Sequence, residues 1–157
     1  MKILHTEIEI DAPAGRIWQI LTDFDRFPEW NPFIRRISGE LRVGSQLEAL
    51  LQPPDSRGMT FRPTLLKLEP ERELRWLGRL WLPGLFDGEH IFTIEPLEGG
   101  CVLFVQREEF KGLLVPLLMR NLEIDTRRGF EAMNRAIKER AESPAGDEGV
   151  IPVTEGT

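Results

Sequence analysis

One cysteine, two histidines and no long apolar run bound the chemistry of this 157-residue chain before any motif is considered. With Cys101 alone an internal disulfide is excluded, and no second Cys or His cluster accompanies it to make a zinc site. Cys101 therefore reads as a small hydrophobe on a strand. Nothing approaches the roughly 20 apolar residues that span a bilayer, and the opening MKILHTEIEI carries acids where a secretory signal needs a long apolar stretch. The expected location is the cytoplasm. A net charge of −6, with Lys and Arg scattered or paired with acids, argues against nucleic acid as a partner. Nucleophile elbow, phosphate loop and dinucleotide fingerprint are missing as well, so nucleophilic and metal mechanisms have no support and no cofactor is expected.

What is present suits one α+β domain over residues 1–142, with a disordered, Gly/Pro-rich acidic tail over 143–157. The first strand, residues 3–10, alternates Leu4, Thr6, Ile8 and Ile10 with an outer face that carries Glu7 and Glu9. Asp11-Ala12-Pro13 reads as a capping-type residue followed by a proline at the first helical position, and Ile17, Trp18, Ile20, Leu21 and Phe24 then form one apolar stripe. Pro28 and Pro32 restrict Phe27 and Asn31 away from the α region, so only a very short second helix fits before Phe33 starts a strand. Strands are expected near 33–40, 45–52, 59–68, 74–81, 85–95 and 101–111, seven in all with the first. Pro63 cannot donate to a ladder and belongs at a bulge or an open edge. From about Leu114 to Arg140 the period is helical, with Leu118, Leu122, Thr126, Gly129, Met133 and Ile137 on one side. Glu123 with Arg127 and Glu131 with Arg135 are spaced to pair on the other. Gly129 in mid-helix, costing about 1 kcal/mol against alanine, marks a close approach by the sheet or by a ligand.

This order of elements resembles the helix-grip fold of the SRPBCC superfamily, which includes START lipid-transfer domains, polyketide cyclases and pollen-allergen-type carriers. Local phrases carry the resemblance: Ala12-Pro13 with Ile17-Trp18, Asp23 through Trp30-Asn31-Pro32-Phe33-Ile34, Leu74-Arg75-Trp76-Leu77-Gly78, Gly88-Glu89-His90 and Glu109-Phe110-Lys111-Gly112. They are most similar to the small bacterial polyketide cyclase/dehydrase-like branch. The resemblance implies a seven-stranded curved antiparallel sheet wrapped on a long C-terminal helix, two short helices between strands 1 and 2, and an internal cavity for a hydrophobic ligand.

A twisted sheet around one helix leaves space that suits a polyketide, isoprenoid or lipid-like guest, and a volume of roughly 300 Å³ or more is typical of such sites. Candidate lining residues are Phe61, Leu65, Leu74, Trp76, Leu80, Phe86, Phe92 and Ile94 from strands and Leu118, Leu122 and Met133 from the helix, with Trp30 as a further surface for stacking. Apolar periodicity alone does not separate a lined hole from a filled core. His90 shares strand phase with Phe86, Phe92 and Ile94 and should point inward. Its neighbour on the last strand depends on register: Gln106 and Glu108 in one phase, Arg107 and Glu109 in the other. The family phrase at Glu109-Phe110-Lys111-Gly112 favours Glu109 as the acid beside His90. Three roles follow as expectations: a carrier or sensor of a small hydrophobic molecule; a cyclase or dehydratase in which His90 and Glu109 move protons; and an interaction module. In the last, the apolar segments 81–86 and 113–118 meet a protein partner, a membrane surface or a second copy, unless they form a lid.

Overall fold

The structure, a computed structural model, describes residues 1–80 and 82–144. Along the chain come β1 (Lys2–Ile10), α1 (Ala14–Thr22), a 3-10 turn (Phe24–Arg26), α2 (Phe27–Trp30), β2 (Ile34–Ser38), β3 (Glu48–Leu51), β4 (Met59–Phe61), β5 (Thr64–Glu69), β6 (Glu73–Leu80), β7 (Phe86–Pro96), β8 (Val102–Lys111) and α3 (Val115–Glu142). The helix-grip arrangement is present, but with eight strands in two antiparallel sheets, ordered β1-β8-β7-β6-β5 and β2-β3-β4, in place of seven in one. Pro63 is the reason. It divides the expected strand 59–68 into β4 and β5, because a residue without an N–H cannot continue the ladder. The carbonyl of Pro63 still accepts from Leu47 N at 2.8 Å, and a bridge between Gln46 and Thr64 joins the two sheets at this corner.

The entrance to the second sheet is built by Asn31. Its buried Oδ1 accepts from the backbone N–H groups of Phe33 (3.0 Å) and Ile34 (2.8 Å), which fixes the turn out of α2. Asn31 is extended (φ −86°, ψ 112°), as its following proline requires. Phe27 is not: it is helical (φ −53°, ψ −39°) despite preceding Pro28. Burial outweighs the local preference, because Phe27 is fully enclosed and packs edge-on against Phe24 (5.5 Å) and Trp30 (5.1 Å). At the start of α1, Pro13 occupies the cap position rather than the first helical one, and Asp11 makes no cap; its backbone N–H instead donates to Glu142 at the far end of α3.

α3 lies across the concave face and buries Met119, Phe130, Met133 and Ile137. Gly129 is where the second sheet comes closest: a Cβ there would sit 2.3 Å from the Phe33 ring, so the glycine answers to the sheet and not to a ligand. On the outer side Glu123 pairs with Lys2 (2.9 Å), and Arg127 donates to the His5 carbonyl (3.1 Å), so these two charges fasten α3 to β1 instead of pairing with each other. The inward face of the main sheet holds Leu4, Ile10, Leu74, Phe92, Phe104 and Ile94 against the second half of α3 as a filled core. No helix among the described residues is long and apolar enough to cross a membrane. Residues 145–157, most of the expected tail, lie outside the described residues.

Candidate functional site

The first half of α3 does not meet the sheet in the same way. A cavity of about 190 Å³ remains between it, the small sheet and the near ends of β6, β7 and β8. Its walls are apolar and largely aromatic: Phe33, Phe61, Trp76, Phe86 and Phe110, with Ala49, Leu51 and Leu80 between them. The half-exposed side chains of Met59 and Leu122 stand at its edge, together with Pro53, Ser56 and Arg57 from the β3–β4 loop and Asp125 and Thr126 from α3. The volume falls between the two cases foreseen from the sequence, a large hole and a solid interior. For comparison, an apolar void of ~150 Å³ accommodates benzene.

Of the lining expected from sequence, Phe61, Trp76, Leu80, Phe86 and Leu122 border the cavity, as does His90. Leu65, Leu74, Phe92, Ile94 and Met133 do not; they are almost wholly buried in the filled part of the core, where the second half of α3 closes on the sheet. Leu118 packs on the edge of the same core. Trp30 faces a separate polar hollow of about 150 Å³, lined by Arg16, Gln19, Ile20, Asp23, Arg26 and Arg140.

The last hairpin settles the register around His90. Gly99 and Gly100 both have positive φ (83° and 84°), and Leu97 N–H donates to the Cys101 carbonyl at 2.8 Å, which centres the turn on Gly99. His90 consequently stands opposite Glu108, with Gln106 opposite Phe92. Glu109 is opposite Glu89 on the outer face, where Arg107 (3.5 Å) and Arg75 (3.4 Å to Glu89) offset the two like charges. The expectation of Glu109 beside His90 is thus corrected to Glu108: side chains alternate along a strand, and one residue of register exchanges the faces.

His90 is buried, stacked on Phe92 at 4.1 Å between ring centres and flanked by Phe130 (4.7 Å) and Trp76 (5.5 Å). Its Nε2 lies 3.0 Å from Gln106 Oε1. The donors around it assign the proton. Gln106 Nε2 donates to the Phe130 carbonyl (3.3 Å) and to Asn134 Oδ1 (2.7 Å), so Gln106 Oε1 must accept from His90 Nε2–H. Asn134 Nδ2 then donates to Thr6 Oγ1 (3.0 Å), whose hydroxyl donates to the Gln106 carbonyl (3.5 Å). The chain of bonds places a proton on His90 Nε2, and burial keeps the ring neutral. Burial lowers its pKa from 6.5 to about 3, which the bond to Gln106 only partly opposes. An imidazole so hard to protonate is poorly matched to proton transfer at neutral pH.

Glu108 has the reverse character. Its carboxyl borders the cavity beside His90, Gly88 and Phe110, and among the described residues no protein hydrogen bond to it is formed. A Cβ on Gly88 would lie 2.7 Å from Glu108 Oε1, so the bare backbone there makes the room that the carboxyl occupies. Although part of the residue remains accessible from the cavity, enclosure by apolar walls raises its pKa from 4.5 to about 8. At neutral pH the protonated carboxyl is the favoured form. The site therefore offers an aromatic hollow with two ionisable groups from the strands in its wall, His90 and Glu108, while Arg57 and Asp125 border it from the loop and from α3. Glu108 was legible as one of two alternatives in the sequence; Phe33, Phe110, Gly88 and the β3–β4 loop carried no signal beyond apolar phase and turn chemistry.

Comparison with known proteins agrees with this fold. The family described as polyketide cyclase / dehydrase and lipid transport matches residues 1–142. A START superfamily protein from Mycobacterium smegmatis superimposes with a TM-score of 0.70 at 21% identity, over 89% of this chain and 97% of that one. The Zhui aromatase/cyclase from Streptomyces sp. R1128 gives 0.73 at 16% identity, over 90% and 93%. Norcoclaurine synthase from Thalictrum flavum, in complex with dopamine and hydroxybenzaldehyde, gives 0.68 at 17% identity, over 88% and 85%. No curated protein matches the sequence significantly. The similar structures share the fold with this chain, and the family match extends over all of its described elements: the chain belongs to the polyketide cyclase/dehydrase and lipid transport family.

Proposed function

We propose that this protein binds a small hydrophobic molecule in the cavity between β2–β4 and the first half of α3, and acts as a carrier or sensor of it. The observation that carries the reading is the cavity itself: about 190 Å³ of apolar, aromatic-walled space in a domain whose other half is packed solid. Its size suits one ring or a short chain inside, with any larger part of the guest extending past Met59 and Leu122. Burial of the guest gains about 25 cal/mol per Å² of apolar surface, less the cost of association. Proton transfer between His90 and Glu109 is not part of this reading, because the two occupy opposite faces of the sheet and His90 stays neutral.

An apolar fluorescent probe titrated against the protein should bind saturably, with a change in tryptophan emission as Trp76 is covered. Ala49→Phe places a ring inside the same space and should weaken the probe by about tenfold or more while the fold is retained. Equal binding by the variant would place the probe elsewhere and count against the proposal.

A further inference from the structure

Resting on that reading, we infer that the natural guest carries a basic nitrogen: the cavity takes a small amine whose ammonium group pairs with the Glu108 carboxylate while its hydrocarbon lies against the aromatic wall.

Three features of the lining point this way. Glu108 is aimed into the cavity without a protein donor, so its hydrogen-bonding capacity is left to whatever enters. The surrounding rings of Trp76, Phe86 and Phe110 present π faces and edges, and aromatic faces attract cations most strongly where water is excluded. The remaining titratable groups on the lining do not compete for that role. His90 from β7 has its Nε2 proton committed to Gln106, Asp125 from α3 adds negative charge, and Arg57 belongs to the exposed β3–β4 loop. A ligand carboxylate would face Glu108 and Asp125 together with only the exposed Arg57 to offset them, and a neutral alcohol would need no ionisable group in the wall.

The protonation state of Glu108 fits a responsive counter-ion. In the empty cavity it holds its proton, and at pH 7 the ionised form is disfavoured only about tenfold, given a pKa of about 8. An entering ammonium reverses that preference. The carboxyl O–H bond breaks, the proton leaves to water, and an N–H of the ammonium donates to the carboxylate, so that one positive charge enters as another departs. The pair is enclosed without a net change of charge, which reduces the desolvation cost of bringing a cation into an apolar site.

Hexylamine, 1-hexanol and hexanoate are matched probes, and calorimetry at pH 7 in two buffers of different protonation enthalpy measures affinity and proton release together. The expected result is hexylamine bound roughly tenfold or more tightly than 1-hexanol, with release of about one proton, and both differences lost in Glu108→Gln. Circular dichroism confirms that this near-isosteric variant is folded. Hexanol or hexanoate binding as well as the amine, or proton release that persists in Glu108→Gln, would overturn the inference and leave the hydrophobic-carrier reading standing. No saturable binding by any of the three would remove both.

Discussion

At the scale of single residues, two ionisable groups on facing positions of β7 and β8, His90 buried and Glu108 partly so, are held neutral by the same cause with opposite consequences. His90 resists gaining a proton and Glu108 resists losing one. For His90 the unfolded chain binds a proton below pH 6.5 that the native state refuses until about pH 3, so its contribution to stability is lost as the pH falls through that interval. For Glu108 the unfolded chain gives up its proton above pH 4.5 while the native state keeps it to about pH 8, so stability is lost as the pH rises. The two slopes cancel between about pH 4.5 and 6.5, and above that Glu108 alone acts. Thermal melts should show native stability declining from pH 6.5 to 8 in the wild type but not in Glu108→Gln. The variant should be the more stable protein at pH 8, by on the order of 2 kcal/mol once screening by cavity water is allowed for. Equal melting temperatures at pH 8 would show that Glu108 is solvated like a surface acid. Little of this was legible in the chain. His90 was identifiable as inward from its phase with Phe86 and Phe92, but the identity of its neighbour hung on a turn centre that Glu98-Gly99-Gly100 leaves open by one residue.

At the scale of elements, the decisive contact is between a turn and a helix distant in sequence. Asn31 fixes the exit from α2, Phe33 follows, and its ring lies against the backbone of α3 at Gly129 and edge-on to Phe130 at 5.7 Å. Phe33 also lines the cavity, which meets α3 at Leu122, Asp125 and Thr126. Gly129→Ala would gain helix propensity of about 1 kcal/mol on local grounds, yet its Cβ would overlap the Phe33 ring. Overpacking should win, with a net loss of about 1–3 kcal/mol in urea unfolding, partly recovered by the double variant with Phe33→Leu. A stabilised Gly129→Ala would mean that Phe33 does not pack there. The sequence signals for these elements were of uneven quality. Helical period in α3 and the Asn-Pro corner were readable because they rest on local chemistry, whereas the helical Phe27 and the division at Pro63 were decided by packing and by the join between two sheets.

At the scale of the whole molecule, the domain combines a solid half with a hollow one. From about Phe92 and Phe104 toward Ile137, side chains of the main sheet and α3 meet completely. Toward Trp76, Phe86 and Phe110 they do not, and the cavity lies there, with Ala49, Leu51 and Phe61 of the small sheet on its other wall. Apolar phase could not tell these halves apart: Leu65 and Phe92 alternate inward just as Trp76 and Phe86 do, and only the three-dimensional divergence of α3 from the strands decides which of them touch empty space. If this hollow receives an oily guest, isotope-filtered NOE spectroscopy of the labelled protein with unlabelled hexylamine will see it there. Intermolecular NOEs are expected to Phe61, Trp76, Phe86 and Leu122 and none to Leu65, Phe92 or Met133; NOEs confined to surface side chains, or spread equally over the solid half, would mean that the hollow is not the binding site.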